Sequence, residues 1–303
     1  MSKSGPLPVA VTGSALWTAA ARARESARRD ALFSDPWAAA LAGTGGQARL
    51  VASEQASARE NPFLPVRTRF FDDLLTAATW AEQIVLLGAG MDTRAYRLNL
   101  RTDTVVFEVD DPDIFTPKNA VLDGVAPRCQ RREVHADLAG EWDAALVAAG
   151  FDAARQTLWL AEGLFFYLTE DAVHRLLRTA ARLSRARALF GADIFGTGLL
   201  RLPSMQPLID HRHSSNQPPP FCTDQPGELL AACGWRTDTL VHLGQPQANY
   251  GRLAIIPADW DGGLDPTMCT YLAVGFRHEE LADEMSTRRG KARGPMEERP
   301  APG

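Results

Sequence analysis

The chain has 303 residues, 45% of them hydrophobic and 23% charged, with a formal net charge of −5. That length supports a substantial core, and the composition is that of a globular protein, not a disordered or fibrous one. The negative balance argues against a nucleic-acid partner, and no apolar run approaches the roughly 20 residues of a membrane span.

The start, Met1-Ser2-Lys3-Ser4-Gly5, lacks the apolar segment of a signal peptide, so a cytoplasmic protein with no membrane partner is expected. Cys129, Cys222, Cys233 and Cys269 are scattered, with no C-x-x-C pair. They read as reduced, packed thiols, and no compact Cys/His cluster predicts a metal site.

From Thr12 to about Gly43 the pattern is helical, with Leu16, Ala20, Ala23 and Ala27 at i+3/i+4 spacing. Arg22, Arg24, Arg28 and Arg29 fill other positions and read as a solvated face beside Glu25 and Asp30. Phe33-Ser34-Asp35-Pro36-Trp37 interrupts the helix, with Asp35 a candidate cap and Pro36 at a first helical position. Gly43-Thr44-Gly45-Gly46 reads as a loop. Asn61-Pro62 precedes a helix whose inner face is expected to hold Phe70, Leu74 and Leu75. Residues 1–80 then form a helical cap belonging to the same domain as the core that follows.

In the core, residues 81–284, strand patterns at Gln83–Leu87, Thr104–Val109, Arg132–His135, Thr157–Leu160 and Ala188–Phe195 alternate with helical ones. The helical stretches are Asp92–Leu98, Pro112–Leu122, Gly140–Ala149 and Thr169–Ser184, the last opening on Thr169 and two acids. Such alternation predicts an α/β fold with a mostly parallel, doubly wound sheet. Residues 196–224 interrupt it as an insertion of the kind that serves as a lid. A helix at Asp224–Cys233 and strands at Arg236–His242 and Thr270–Arg277 complete the core. The charged, Gly/Pro-containing stretch 285–303 is expected to be a disordered tail.

In open α/β sheets, ligands sit beyond the carboxyl ends of the strands. After the first strand come Gly88 and Gly90, which let the main chain turn sharply and approach a ligand closely. After the second comes Asp110, about 20 residues on, where an acid accepts hydrogen bonds from ribose hydroxyls. Asp137 follows the third strand and Glu162 the fourth. No lysine or arginine occupies these tips. A dinucleotide pyrophosphate needs a bare helix N-terminus and a third glycine. Here Asp92 and Thr93 stand in those places. S-adenosylmethionine has no phosphate, and its sulfonium, ammonium and ribose diol suit acids. Each acid also has a plainer reading: Asp92 as a helix cap, Glu108 as a buried ion-pair member, Asp137 as a turn cap.

Four stretches carry a resemblance. They are Leu86-Leu87-Gly88-Ala89-Gly90-Met91-Asp92-Thr93-Arg94-Ala95-Tyr96-Arg97-Leu98, Phe107-Glu108-Val109-Asp110, Ala136-Asp137-Leu138 and Ala161-Glu162-Gly163-Leu164-Phe165-Phe166-Tyr167-Leu168. As an ordered set they resemble the leucine carboxyl methyltransferase family, over roughly residues 12 to 195. Within it the likeness is to bacterial O-methyltransferases of the tetracenomycin type, which tailor aromatic polyketides. The resemblance implies a class I S-adenosylmethionine-dependent, Rossmann-like fold, with a seven-stranded sheet closed by an antiparallel last strand.

It also implies cofactor contacts at Gly88, Gly90, Asp92, Asp110, Asp137, Leu138 and Glu162. Arg67 would meet the carboxylate of the cofactor and the acceptor, with Arg69 as the alternative. The reaction expected is O-methylation of a carboxylate or phenol on a small aromatic acceptor, by a monomer or homodimer. Tyr167 is a candidate donor to a carboxylate acceptor, and His211 or His213 a candidate base for a phenol. Trp17, Phe33, Leu199, Leu200, Met205 and Phe221 are candidates for covering a flat ring. Methylation of a protein C-terminal carboxyl group and non-catalytic cofactor binding are the alternatives.

Overall fold

Gln83–Leu87 forms the first strand, β1, with the bounds expected, and all five residues are buried. A strand hidden on both faces is apolar over most of its length, which is why Ile84–Leu87 shows no alternation, and buried Gln83 hydrogen-bonds Asp152 and Thr157. Val85 and Leu87 enter one core layer, Ile84 and Leu86 the other.

The structure is a computed structural model that describes residues 9–57, 60–202, 205–214, 219–253, 265 and 267–277. The tail expected at 285–303 lies outside the described residues. Helices α1 (Val9–Ser26), α2 (Ala38–Ser57) and α3 (Phe63–Ala77) precede β1. Then come α4 (Arg94–Arg97), β2 (Val105–Asp110), α5 (Pro112–Leu122), β3 (Gln130–His135), α6 (Asp143–Ala148), β4 (Thr157–Ala161) and α7 (Glu170–Leu183). The chain continues through β5 (Ala188–Phe195), α8 (Gln206–Ser214), α9 (Pro226–Ala232), β6 (Arg236–His242) and β7 (Thr270–Arg277).

Among the described residues the strands form one seven-stranded sheet in the order β3-β2-β1-β4-β5-β7-β6. Only β7 runs antiparallel to its neighbours. The chain steps outward from β1 to β2 and β3, then returns to place β4 on the other side of β1. That reversal opens a crevice at the carboxyl ends of β1 and β4.

Leu146, Val173, Leu176, Leu177 and Trp235 cover one sheet face. Val66, Phe71, Leu75, Ala95 and Tyr96 cover the other. Thr169 caps α7 as its position predicts, its Oγ1 accepting from the Ala172 N–H at 3.2 Å.

Several expectations about the helices need correction. Gly43–Gly46 is not a loop. Helical structure runs to Ser57 with a kink where Gly43 leaves the helical region. A Cβ on Gly46 would lie 2.4 Å from the Leu16 carbonyl oxygen, so this glycine permits the close crossing of α1 and α2. On α3 the fully buried ring is Phe71, while Phe70 and Leu74 are only partly buried.

The arginines of α1 are not a uniformly solvated face either. Arg24 pairs with Glu54, and Glu25 is buried and accepts from Arg252 at 2.7 Å. The α1–α2 hairpin packs on Leu64 of α3 and on Met91, and so sits over the crevice. The insertion carries a short 3-10 turn, Thr197–Arg201, and α8. Its two ends are tied where Thr197 donates to Asp224 through N, at 2.8 Å, and through Oγ1, at 2.5 Å. No helix among the described residues is long and apolar enough to cross a membrane.

Candidate active site

Beyond the tips of β1 to β4 lies a cleft of about 410 Å³, a size usual for small-molecule sites. Its wall holds Arg67, Gly88, Gly90, Asp92, Asp110, Asp137, Leu138, Glu162 and Tyr167. These are the cofactor-contact residues expected from the sequence together with Tyr167; His213 is not among them.

The glycine turn begins where β1 ends. Gly88 has φ +69° and Gly90 +48°, left-handed values that an L side chain resists. A Cβ on Gly88 would lie 3.0 Å from Leu164 Cδ1, so bare backbone faces the cleft there. Asp110, last in β2, accepts from the Gly90 N–H and the Asp111 N–H, both at 2.7 Å. A carboxylate offers about four lone-pair sites, so two remain for ligand hydroxyls. Burial raises the Asp110 pKa, and the two N–H donors only partly offset it. Asp111 then caps α5, accepting from Asp113 N at 2.9 Å with Pro112 at the first helical position.

Under the cleft runs a chain of ion pairs that the sequence did not disclose. Both Asp72 oxygens accept from Arg97, at 2.6 and 2.7 Å. Arg94, 3% exposed, reaches Asp72 at 2.7 Å, Asp92 at 2.6 Å and Glu162 at 2.7 Å. Glu162 also accepts from Arg67 Nε at 3.0 Å, and Arg67 Nη1 donates to Asp193 at 2.9 Å. Asp193 in turn accepts from the Gly163 N–H at 2.6 Å. Three guanidiniums thus face four carboxylates, which leaves the floor of the cleft suited to a cationic ligand.

Glu108 is the ion-pair member expected, whereas Asp92 stands one residue before Thr93, the N-cap of α4, and reaches the first N–H of that helix from there. Asp92 Oδ1 accepts from the Arg94 N–H at 2.6 Å. Glu108, fully buried on β2, is paired at 2.7 Å with Lys118 and at 2.7 Å with Arg131.

Burial pushes the Asp92 pKa up, but Arg94, Lys118 and Arg97 outweigh it and hold the pKa at about 2. Its folded value lies below its unfolded one near 4, so the ionised form contributes stability above about pH 4. That contribution, roughly 2–3 kcal/mol, is lost as pH falls from about 4 toward 2. In acid titrations followed by tryptophan fluorescence, Asp92→Asn should be less stable than wild type at neutral pH. The two curves should converge below about pH 2.

Asp137 is exposed at the end of β3, where its Oδ1 accepts from Ala139 N at 2.8 Å, the expected turn cap. Leu138 beside it is buried. Tyr167 lies on the 3-10 turn Phe165–Tyr167 after β4 and is half-buried. Arg69, the alternative to Arg67, points away from the cleft, pairing with Asp73 at 2.8 Å and donating to the Leu32 carbonyl at 2.6 Å.

The expectation for His213 needs correction. His213 is exposed and does not line the cleft, and the His211 side chain lies outside the described residues. Among the described residues of α8 the one on the wall is Arg212, which is buried. None of Trp17, Phe33, Leu199, Leu200, Met205 and Phe221 lines the cleft; Phe221, for one, is buried against Phe165 in the core.

The wall also holds residues that were overlooked: Ser14, Thr18 and Arg22 of α1, and Arg94 and Arg97 of α4. A signal was available, since 14, 18 and 22 recur at helical spacing on one face. Arg22 Nε donates to buried Asp35 at 2.9 Å, and Asp35 also accepts from Thr93 Oγ1 at 2.8 Å. Arg22 Nη2 donates to the Met91 carbonyl, so α1 is fastened to the glycine turn.

The residues present fit S-adenosylmethionine better than a dinucleotide. Left-handed glycines bring bare main chain to the cleft, Asp110 keeps acceptor capacity, and acidic groups predominate on the floor. A pyrophosphate at α4 would instead meet ionised Asp92. Among the described residues no group of His, Cys, Asp and Glu is placed to hold a metal ion.

Comparison with known proteins agrees. The leucine carboxyl methyltransferase family model matches residues 15–181. A Frankia alni protein named as an S-adenosyl-L-methionine-dependent methyltransferase is 36% identical over 271 residues, covering 84% of this chain and 93% of that one. A second Frankia alni protein of the same description is 45% identical over 198 residues, covering 62% and 70%. Among solved structures, a DUF574 family protein of Streptomyces avermitilis shares the fold, with a TM-score of 0.55 and 16% identity, over 86% of this chain and 96% of that one. The chain is a methyltransferase of the leucine carboxyl methyltransferase family, with S-adenosyl-L-methionine as its cofactor.

Proposed function

We propose that the chain methylates an oxygen, carboxylate or phenolic, of a small aromatic acceptor of polyketide type in secondary metabolism. The observation that carries this reading is one cleft, roofed by α1 and α8, that joins the strand-tip acids to Arg67, Tyr167 and Arg212. A roofed cleft of this size admits a small molecule more readily than a folded protein's terminus.

The cofactor supplies a methyl group already activated on a sulfonium, so orientation is the main task left to the protein. Asp110 would hold the ribose hydroxyls, Asp137 and Leu138 would frame the adenine, and Gly88 and Gly90 would bring main chain to the amino-acid part. Arg67 spends two N–H groups on Glu162 and Asp193. Of five donors, three remain for a carboxylate. Glu162, held by Arg67 and Arg94, would face the ammonium. Tyr167 is an aromatic ring on the wall against which an acceptor ring would pack.

The family's description, leucine carboxyl methyltransferase, suggests a second acceptor, a protein C-terminal carboxyl group. Incubation with methyl-labelled cofactor and a bacterial lysate, followed by separation of macromolecules from small molecules, distinguishes the two. Label is expected in the small-molecule fraction. Label confined to protein would replace this reading with the second.

A further inference from the structure

We propose that Arg212 is the acceptor-selecting residue of this methyltransferase: it holds the acceptor oxygen as an anion, in the place where a histidine base was expected. The inference rests on the methyltransferase reading above and goes beyond it in naming how the acceptor is recognised.

The first observation is position. Arg212 belongs to α8, in the insertion, yet its side chain is on the cleft wall and only 7% of the residue is exposed. Successive residues of a helix point about 100° apart, so Arg212 and His213 cannot share one direction. Of these two it is the arginine that meets the cleft, while His213 faces solvent. The second observation is orientation. Arg212 Nη2 donates to the carbonyls of Phe166, at 3.3 Å, and Tyr167, at 3.2 Å. The guanidinium is therefore tethered to the very turn that presents Tyr167.

Chemistry supplies the third step. A guanidinium has no acceptor and cannot serve as a base, but its planar fork matches an oxyanion. Burial lowers the Arg212 pKa from its ordinary value while the neighbouring Tyr167 raises it. The side chain remains a desolvated cation, and anions bind such cations far more strongly than they do in water. Other charged groups share the wall, among them Arg22 of α1, Arg67 of α3, Arg94 and Arg97 of α4, the strand-tip acids Asp110 and Asp137, and Asp92 and Glu162. Arg67 and Arg94 both pair with Glu162. A carboxylate acceptor arrives as the anion. A phenol loses its proton to bulk water, and Arg212 favours the resulting phenolate. No general base is required in either case.

The test uses the full chain loaded with S-adenosylhomocysteine, whose affinity is first measured by calorimetry for wild type, Arg212→Lys and Arg212→Met. The probes are 4-nitrophenol, whose visible absorption reports its own ionisation, and 4-nitrobenzoate against 4-nitrobenzamide. Wild type is expected to lower the ionisation midpoint of bound 4-nitrophenol by about one pH unit, or to prefer the benzoate to the amide about tenfold. The first result identifies a phenolate site and the second a carboxylate site. Arg212→Met should abolish the preference and Arg212→Lys retain part of it, with S-adenosylhomocysteine affinity within about threefold of wild type in both.

Cofactor-product binding with neither anion held in an Arg212-dependent way would overturn this inference alone. Loss of that binding in both variants would assign Arg212 to the fold and overturn it too. No binding of S-adenosylhomocysteine by wild type would overturn the methyltransferase reading and, with it, this one.

Discussion

Asp110→Asn is expected to weaken S-adenosyl-L-methionine binding by roughly 10²–10³-fold, the largest effect of any single substitution in the cleft. A hydrogen bond to a charged group contributes about 1.5–3 kcal/mol, and a ribose diol would make two with Asp110. The amide also disturbs the turn itself. Asp110 now serves the Gly90 and Asp111 N–H groups with separate oxygens, one each. Asparagine has one carbonyl oxygen, so one of those N–H groups would face an NH2 group.

The same carboxylate sets a pH dependence. Burial raises its pKa in the free protein, and hydroxyl donors favour its ionised form. Cofactor binding should therefore weaken as pH falls through the Asp110 pKa, and Asp110→Asn should show no such step. Calorimetry with S-adenosylhomocysteine across pH checks both. An affinity for the variant within a few-fold of wild type would remove Asp110 from the ribose role.

Arg94→Ala is expected to lower stability by about 3–5 kcal/mol, the usual cost of stripping a buried ion pair of one partner. Arg94 contacts three carboxylates, Asp72, Asp92 and Glu162. Its removal leaves their charges close together in a desolvated place. At about 2–4 °C per kcal/mol for a domain of this order, the melting midpoint should fall by roughly 10 °C. Arg94→Lys should recover only part, because an ammonium cannot span the three acids as a planar fork does. Calorimetric melting checks this, and a fall under about 2 °C would mean that Arg67 and Arg97 suffice for the acids.

These two residues mark the limit of what the sequence discloses. The place of Asp110 on the cleft wall was legible, as an acid at a strand tip, a set distance past a glycine turn. The strands were legible for the same reason. β1, β5, β6 and β7 have the bounds that their apolar runs and flanking turns predict. Arg94 was visible only as a charge, since its partners lie as far away as Asp72 on α3 and Glu162 after β4. Pairing of that kind is decided by packing, which has no local signature.

Glycine misled in one place, because Gly46 serves a helix crossing as readily as other glycines serve a loop. His213 misled because it was chosen by chemical type, while the face of α8 decides which side chain meets the cleft. Arg67 and Arg69 show the converse. Two positions apart on α3, they point to different sides, and only Arg67 reaches Glu162.

The central claim is that the strand-tip acids hold S-adenosyl-L-methionine in the cleft beyond β1 and β4. A crystal structure with S-adenosylhomocysteine tests it most directly. The ribose hydroxyls should lie within hydrogen-bond distance of Asp110, the adenine beside Leu138, and the amino-acid end against Gly88, Arg67 and Glu162. A ligand bound elsewhere, or bound here with its ribose away from Asp110, would contradict the account.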